Sequence, residues 1–569
     1  MANKIGVQPR TQEILQTLNL RHRLDIQGNH VSETAFWSRS EPTEDLKRTH
    51  IGGEIVNRTP YPFILSIPQR ETERAFDENL QSYNCEVTRP CSLMNFHYVE
   101  EDADYPLRVT VKDLYSNVTK VIRTKYLLGT DGATSTTRRL MGLESNTYGP
   151  DDIWCVADLK LNTDFPDVRR RCAIRSPAGG IMMIPNPRDG NRIYTQLNVA
   201  DLASLADENM ANGKAGSGVA NASVSGIQYS DVALLQLLSE RVKAILNPYE
   251  IEIKELFWIS QYRLRQRIVE DFWDSRRVFI LGDACHTHSP KAAQGLNVSM
   301  GDAYNLTWKL ALVIKGHASA TLLKTYATER RGIAQELLDF DAKFSHLFAC
   351  KSFLDNSAFH DVYAKAHGFT SGIGQEYPLG PLTLASSQRV HVNEEAVGAL
   401  LPGRRLHPAN LRRHIDGTAL NLLDDLPSNG RFHLFILAGN AISQRRFQPV
   451  IDYLASKDSA ISKFESTASP NWGFEDIYFR NPLNEGRVVD LFLLHTDDHY
   501  SIDLLRLPHP LPQWKYRVYV DEDAKEHANY GVNVSQGAMA LVRPDGVLSL
   551  VCGLDESILI TRALESFLM

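Results

Sequence analysis

The chain of 569 residues is poor in cysteine, has no long apolar run and carries no basic excess. It has seven cysteines, Cys85, Cys91, Cys155, Cys172, Cys285, Cys350 and Cys552, and no CxxC. That excludes dithiol chemistry and a disulfide scaffold. An odd number at irregular spacing points to reduced thiols inside the cell. No apolar stretch reaches the length that spans a bilayer. Met1 is followed by polar residues rather than a secretory signal, so a cytoplasmic protein is expected. A net charge of −7 argues against a nucleic-acid partner. His286 and His288 have no further His or Cys nearby, so no metal is expected. No GxGxxG occurs anywhere. Gly372-Ile373-Gly374 lacks the third glycine and follows no apolar strand.

What is present is ordinary in bulk and specific in one place. Hydrophobic residues make up 43% and charged residues 23%, as in a globular protein of about three domains by length. The informative segment is 277–315. Val278, Phe279, Ile280 and Leu281 form a short apolar run that predicts a buried strand. Gly282 permits a sharp turn, and Asp283 then stands just past the strand's carboxyl end, where open α/β sheets bind ligands. After a His/Pro/Gly loop, Leu306, Leu310 and Val313 recur at helical spacing, and Gly316 is placed to end the helix. A carboxylate there can accept hydrogen bonds from ligand hydroxyls, and a helix N-terminus favours an anionic edge. A lone Gly-Asp pair would be read as plain strand-loop-helix; the full run GDACHTHSPKAAQGLNVSMGDAYNLTWKL is far more specific.

That run closely resembles the second flavin segment of the class A flavoprotein aromatic hydroxylases, in the phenol 2-monooxygenase branch. Other segments match in order along the chain: 7–15 (VQPRTQEIL), 66–75 (SIPQRETERA), 126–139 (YLLGTDGATSTTRR) and 325–344 (TYATERRGIAQELLDFDAKF). The resemblance implies FAD and NADPH as cofactors and O2 and a phenolic small molecule as substrates. It also implies hydroxylation through a C4a-hydroperoxyflavin, with a role in secondary-metabolite biosynthesis as one possibility. Asp283 would hold the ribityl hydroxyls, with Gln69 as a second ribityl contact. Gln294, Gly295, Leu296 and Asn297 would offer groups to the flavin ring, and Pro290 would shape the ring-facing wall. Asp131, Gly132 and Arg138 match the family's Asp-Gly segment near the pyrophosphate and the NADPH path; a simple helix cap is the alternative. Gln8 and Arg10 would approach the flavin. Tyr194 and Arg171 are candidates to bind a phenolate, against a packed tyrosine and a surface arginine. Cys285 is expected to be a packing residue.

The family's opening strand, GxGxxG turn and helix are not in this sequence. That unit normally cradles the pyrophosphate. Two expectations follow: a shortened form of a working enzyme, or a non-catalytic relative that serves as a binding or dimerisation partner. The position at which the branch carries an acidic base is Ile5, whose apolar side chain cannot take a proton.

The implied fold class is α/β. An incomplete Rossmann-like FAD-binding domain (1–150 and 266–345) is interleaved with a sheet-based substrate domain (151–265). A helical connection and linker (346–384) leads to a thioredoxin-like domain without CxxC (385–569), suited to packing or to a homodimer contact. Predicted elements include helices at 11–20 and 232–246, strands at 108–111, 121–128, 172–174, 180–184 and 192–197, and a polar loop at 207–226. In the last third, strands are predicted at 432–437, 488–494, 516–520, 538–542 and 547–551, with a turn at 543–546.

Overall fold

The computed structural model describes residues 6–53, 59–187, 189–197, 231–288, 294–349, 367–440, 442, 445–464 and 488–569. Three bodies of structure lie along the chain. The first is built on strands Val278–Ile280 and Leu127–Gly129, which pair in parallel. An antiparallel sheet of Cys91–Tyr98, Leu107–Asp113 and Thr119–Thr124 and the helices Gly295–Ile314 and Lys324–Ala349 complete it. Phe279, Ile280, Leu306, Leu323, Tyr326 and Leu338 form its core. Helix Gly295–Ile314 ends as the glycine signal predicts, with Gly316 at φ +76° just beyond it.

The second body is an eight-stranded sheet. Its order is His286–Thr287, Ile251–Val269, Ser145–Thr163, Gly190–Leu197, Gly179–Pro185, Arg171–Ser176, Glu33–Ser38 and Lys47–Gly53. One face packs on helix Asp231–Leu246 through Leu234, Leu238, Val242 and Ile245. The divisions at 150 and 265 do not follow this sheet. It draws two strands from the first 53 residues, and one 19-residue strand, Ile251–Val269, runs on to pair with the loop at His286. The predicted loop at 207–226 lies outside the described residues.

The C-terminal sheet places Phe432–Gly439 between parallel Val489–His495 and antiparallel Ala538–Val542, which is in hairpin with Leu548–Cys552. This is the thioredoxin-like arrangement expected. It is not an independent body, however. Trp308, Leu312 and Leu322 share one core with Phe432, Leu434 and Leu493, and the Trp308 and Phe432 rings meet edge-on at 5.6 Å. The stretch read as a linker is also packed: Tyr377 is buried and Leu382 joins the C-terminal core. Gly374 serves close contact rather than slack, since a Cβ there would lie 2.9 Å from the backbone of Gly368.

Candidate active site

The turn after Val278–Ile280 is held from three sides. Gly282 stands at φ +60°, and a Cβ there would come 2.7 Å from Ser299 Oγ, so only glycine lets the turn lie against the helix. The Gly282 amide donates to Asp302 Oδ2 at 3.0 Å, and His286 Nε2 lies 2.9 Å from the same oxygen. Asp302 Oδ1 accepts from Arg330 Nε at 2.7 Å. Burial alone would raise the Asp302 pKa, but Arg330 and His286 outweigh it and keep the carboxylate charged. Asp283 follows Gly282 and is half-buried, with Ala284 and Cys285 buried behind it. Burial pushes the Cys285 thiol well up, consistent with a packing residue.

Helix Gly295–Ile314 begins at Gln294, whose side chain does not cap it. The Gln294 amide donates instead to Thr370 O at 2.6 Å. The Gln294 side chain therefore does not close over the first-turn amides, and a helix N-terminus of this kind suits an anionic ligand edge. Asn297 is spent on positioning: it donates to Gly6 O at 3.0 Å and accepts from the Gln8 amide at 2.8 Å. Val7 in turn exchanges hydrogen bonds with Leu65, and Leu296 packs on the cluster of Val7, Leu15 and Leu65. Gln8, Leu296 and Asn297 are thus brought together. Gln69 opens helix Gln69–Ser82, three residues beyond strand Ile64–Ser66, and donates to Glu73 at 2.7 Å.

Asp131 works as a cap: it accepts from Ser135 Oγ at 2.5 Å, Thr137 N at 2.9 Å and Thr137 Oγ1 at 3.0 Å. Gly132 stands at φ +77° with open space where a Cβ would be. Arg138 is buried and donates to Ala284 O and Ala133 O, both at 2.9 Å, so it braces the loop that carries Asp283. Arg10 faces the C-terminal unit, donating to Glu13 at 3.0 Å and to Asp545 O at 2.6 Å. Pro290 and Ile5 lie outside the described residues.

Tyr194 stands in a different cluster, on the face of the eight-stranded sheet away from helix Asp231–Leu246, with Trp154, Val156, Met182 and Ile184. Beside it Arg192 is fully buried and forks onto Asp158. Burial disfavours the Arg192 charge, but Tyr194 and Asp158 more than offset it, and its pKa is raised. Arg171, on the same sheet, is buried rather than a surface residue.

Sequence reasoning missed Asp302, Arg330, Arg192 and Asp158. A signal was available for the first: Asp302, Asn305 and Lys309 fall on one face of a helix whose other residues are mostly apolar.

Comparisons with known proteins give the family. The family described as "FAD binding domain" matches residues 5–217 and 229–341. "Phenol hydroxylase, C-terminal dimerisation domain" matches 375–569. The 3-hydroxybenzoate 4-monooxygenase of Comamonas testosteroni is 30% identical over 99% of this chain and 88% of its own length. The chain belongs to the FAD-dependent aromatic hydroxylases. Other members include FAD-dependent monooxygenase terD of Aspergillus terreus, 28% identical over 99% of this chain and 89% of that one. Phenol 2-monooxygenase fsqG of Aspergillus fumigatus is 29% identical over 91% and 83%. In three dimensions the chain is similar to the flavin-dependent monooxygenase PieE, solved with FAD and substrate. The TM-score is 0.68 at 17% identity, covering 99% of this chain and 92% of that one. The protein is accordingly an oxidoreductase with FAD as cofactor. Among the described residues no helix is long and apolar enough to cross a membrane.

Proposed function

We propose that this hydroxylase inserts one atom of O2 into the ring of a phenolic small molecule at the expense of NADPH, the second atom leaving as water. The observation that carries this is the Gly282–Asp283 turn set against the N-terminus of helix Gly295–Ile314. Asp283 is the candidate for the ribityl hydroxyls, and the amides of Gly295, Leu296 and Asn297 for the pyrimidine edge of the flavin ring. When bound, FAD supplies electron transfer from the nicotinamide and activation of O2. The chain's own residues orient and shield. Arg138 fixes the loop behind Asp283 through Ala284 O. Asn297 fixes the entry of the first helix through Gly6 and Gln8. Gly132 leaves open space beside the Asp131 cap, which suits a bulky phosphate-bearing ligand.

The candidate for the substrate's ring oxygen is Tyr194, whose hydroxyl can donate to a phenolate. Arg192 behind it lends positive charge that Asp158 partly neutralises. The same reading takes the chain as a homodimer through 375–569, which the description of the matching family supports.

The test is the visible spectrum of the purified chain with added FAD, followed by NADPH consumption across a panel of phenols. Stoichiometric flavin bands and phenol-dependent NADPH oxidation with matching hydroxylated product are expected. A folded chain that takes up no flavin and oxidises no NADPH with any phenol would overturn the proposal. Light scattering at graded concentration checks the dimer.

A further inference from the structure

One unbroken run of buried polar contacts joins the flavin loop to the C-terminal unit. It starts at Gly282 and His286 on Asp302, and passes to Arg330. Arg330 donates to the Tyr377 hydroxyl at 2.9 Å, and Asn305 Nδ2 lies 3.3 Å from that same oxygen. Asn305 donates to Glu329 at 2.7 Å. Glu329 then takes both terminal nitrogens of Arg543 at 2.7 and 2.9 Å, and Lys309 Nζ at 2.8 Å. Arg543 closes on Asp545 within its own turn at 2.6 Å.

The charges balance. Asp302, Glu329 and Asp545 face Arg330, Lys309 and Arg543, and every one of the six is buried. Burial alone would raise Glu329, but Arg543 and Lys309 outweigh it and hold its pKa down at about 2. Removing one cation would leave a carboxylate without compensation in a dry site.

Placement gives this network a role beyond joining two domains. Arg543 begins the hairpin turn between Ala538–Val542 and Leu548–Cys552, in the C-terminal sheet. It reaches helix Gly295–Ile314 through Glu329 on the neighbouring helix, which holds Asn305 and Lys309, and its guanidinium stands 5.6 Å from the ring of Trp308 on Gly295–Ile314 itself. That helix is a stiff rod, and its anchored middle lies about 15 Å from its first turn at 1.5 Å per residue. Arg330 also donates to Val298 O at 3.2 Å, one turn from the ligand-facing end. Fixing the middle of the rod therefore fixes the height and rotation of Gly295–Asn297, and through Asp302 it fixes the Gly282 turn.

We propose that Arg543 is a positioning residue for the flavin site: from the C-terminal unit it sets where the first turn of helix Gly295–Ile314 and the Gly282 loop stand, so that FAD affinity is governed across the domain boundary. The proposal rests on the flavin reading of the site. It gives the C-terminal unit, which has no dithiol, a part in the chemistry of the other half.

The experiment uses the full chain with Arg543→Met, Arg543→Lys and Tyr377→Phe. FAD affinity is read by quenching of flavin fluorescence, and amide exchange at Gly282 and 295–300 is read without ligand. Far-UV circular dichroism checks the fold. Arg543→Met should weaken FAD binding about tenfold, within the range usual for coupled sites, and speed exchange at Gly282. Arg543→Lys should recover part of the loss, keeping the charge without the two-pronged contact. Tyr377→Phe removes no charge and should shift both readouts the same way by less. A folded Arg543→Met chain with wild-type FAD affinity and unchanged exchange at 282–300 would overturn the proposal. If Arg543→Met does not fold, Tyr377→Phe decides by the same two readouts. A wild-type chain that takes up no FAD removes the flavin reading instead, while exchange at Gly282 still decides whether the coupling exists.

Discussion

Asp302 and Asp490 are both buried carboxylates gripped by an arginine, at 2.7 Å from Arg330 and 2.6 Å from Arg431. In both, burial opposes the charge and the arginine outweighs it. They differ in what else they hold. Asp490 takes Asn429 and Arg431, from the loop just before strand Phe432–Gly439 of the same C-terminal unit. Asp302 takes a helix neighbour and also the backbone of the Gly282 turn, together with His286 from the loop beyond. One kind of interaction therefore serves stability alone in one region, and stability plus the shape of a ligand-facing loop in the other.

Matched lesions should separate the two roles, and these carry the largest effects. Asp302→Asn and Asp490→Asn each leave an arginine buried without its counter-charge, a loss of about 3–5 kcal/mol. Urea unfolding should show comparable destabilisation for both. Flavin titration should not: Asp302→Asn should lose FAD while still folded, and Asp490→Asn should keep it. Equal flavin affinity in the two variants would break the comparison.

How much of this was legible in the sequence divides along the same line. Strands Val278–Ile280, Phe432–Gly439 and Ala538–Val542 were readable because each is an apolar run buried on both faces. Helix Asp231–Leu246 was readable because its apolar residues keep helical spacing. The two 19-residue strands Ser145–Thr163 and Ile251–Val269 were not. Irregularities between Ile253 and Glu255, Leu256 and Trp258, and Leu264 and Gln266 shift the alternation and hide its period. At the site, residue identity pointed to Asp283 and the helix start, while the partners that hold them came from far along the chain. Arg330 meets Asp302 across 28 positions, and Arg543 meets Glu329 across 214. A single sequence carries no period or spacing for such pairs. Arg10, which the resemblance places near the flavin, donates to Asp545 O across 535 positions, a partner no spacing announces.

Acid should sharpen the contrast, with the next largest effect. Burial pulls His433 down to about 4, and burial with His414 pulls His495 down to about 3, from 6.5. The unfolded chain then takes up these protons first, so the C-terminal sheet loses stability as pH falls below 6.5. For His433 alone this amounts to about 2 kcal/mol at pH 5. Glu329 has the opposite kind of window: its folded pKa is depressed from 4.5 to about 2, so its contribution is complete above 4.5 and lost between there and about 2. Amide protection, corrected for the slower intrinsic exchange in acid, should therefore fall between pH 7 and 5 in Phe432–Gly439 before it falls in Gly295–Ile314. Simultaneous loss would show that the shared core around Trp308 makes one cooperative unit of the two.

The smallest test uses two helix caps of the same kind. Ser135 Oγ accepts from Arg138 N at 2.9 Å, and Ser459 Oγ accepts from Ser462 N at 3.2 Å. Replacing either serine by alanine should cost about 1 kcal/mol, the usual value for a lost cap. The consequence should differ because of what each helix carries. Ser135→Ala loosens the turn that presents Arg138, and Arg138 is the group that holds Ala284 O behind Asp283. Ser459 starts the short helix Ala460–Lys463, which packs through Ala460 and Ile461 into the C-terminal core. Thermal melts should therefore move together for the two variants, while FAD affinity falls a few-fold only for Ser135→Ala. If Ser135→Ala melts lower and binds FAD as before, Arg138 does not need its cap to brace the loop. The reach of the flavin region's positioning contacts would then end at Asp302, Arg330 and the turn they hold.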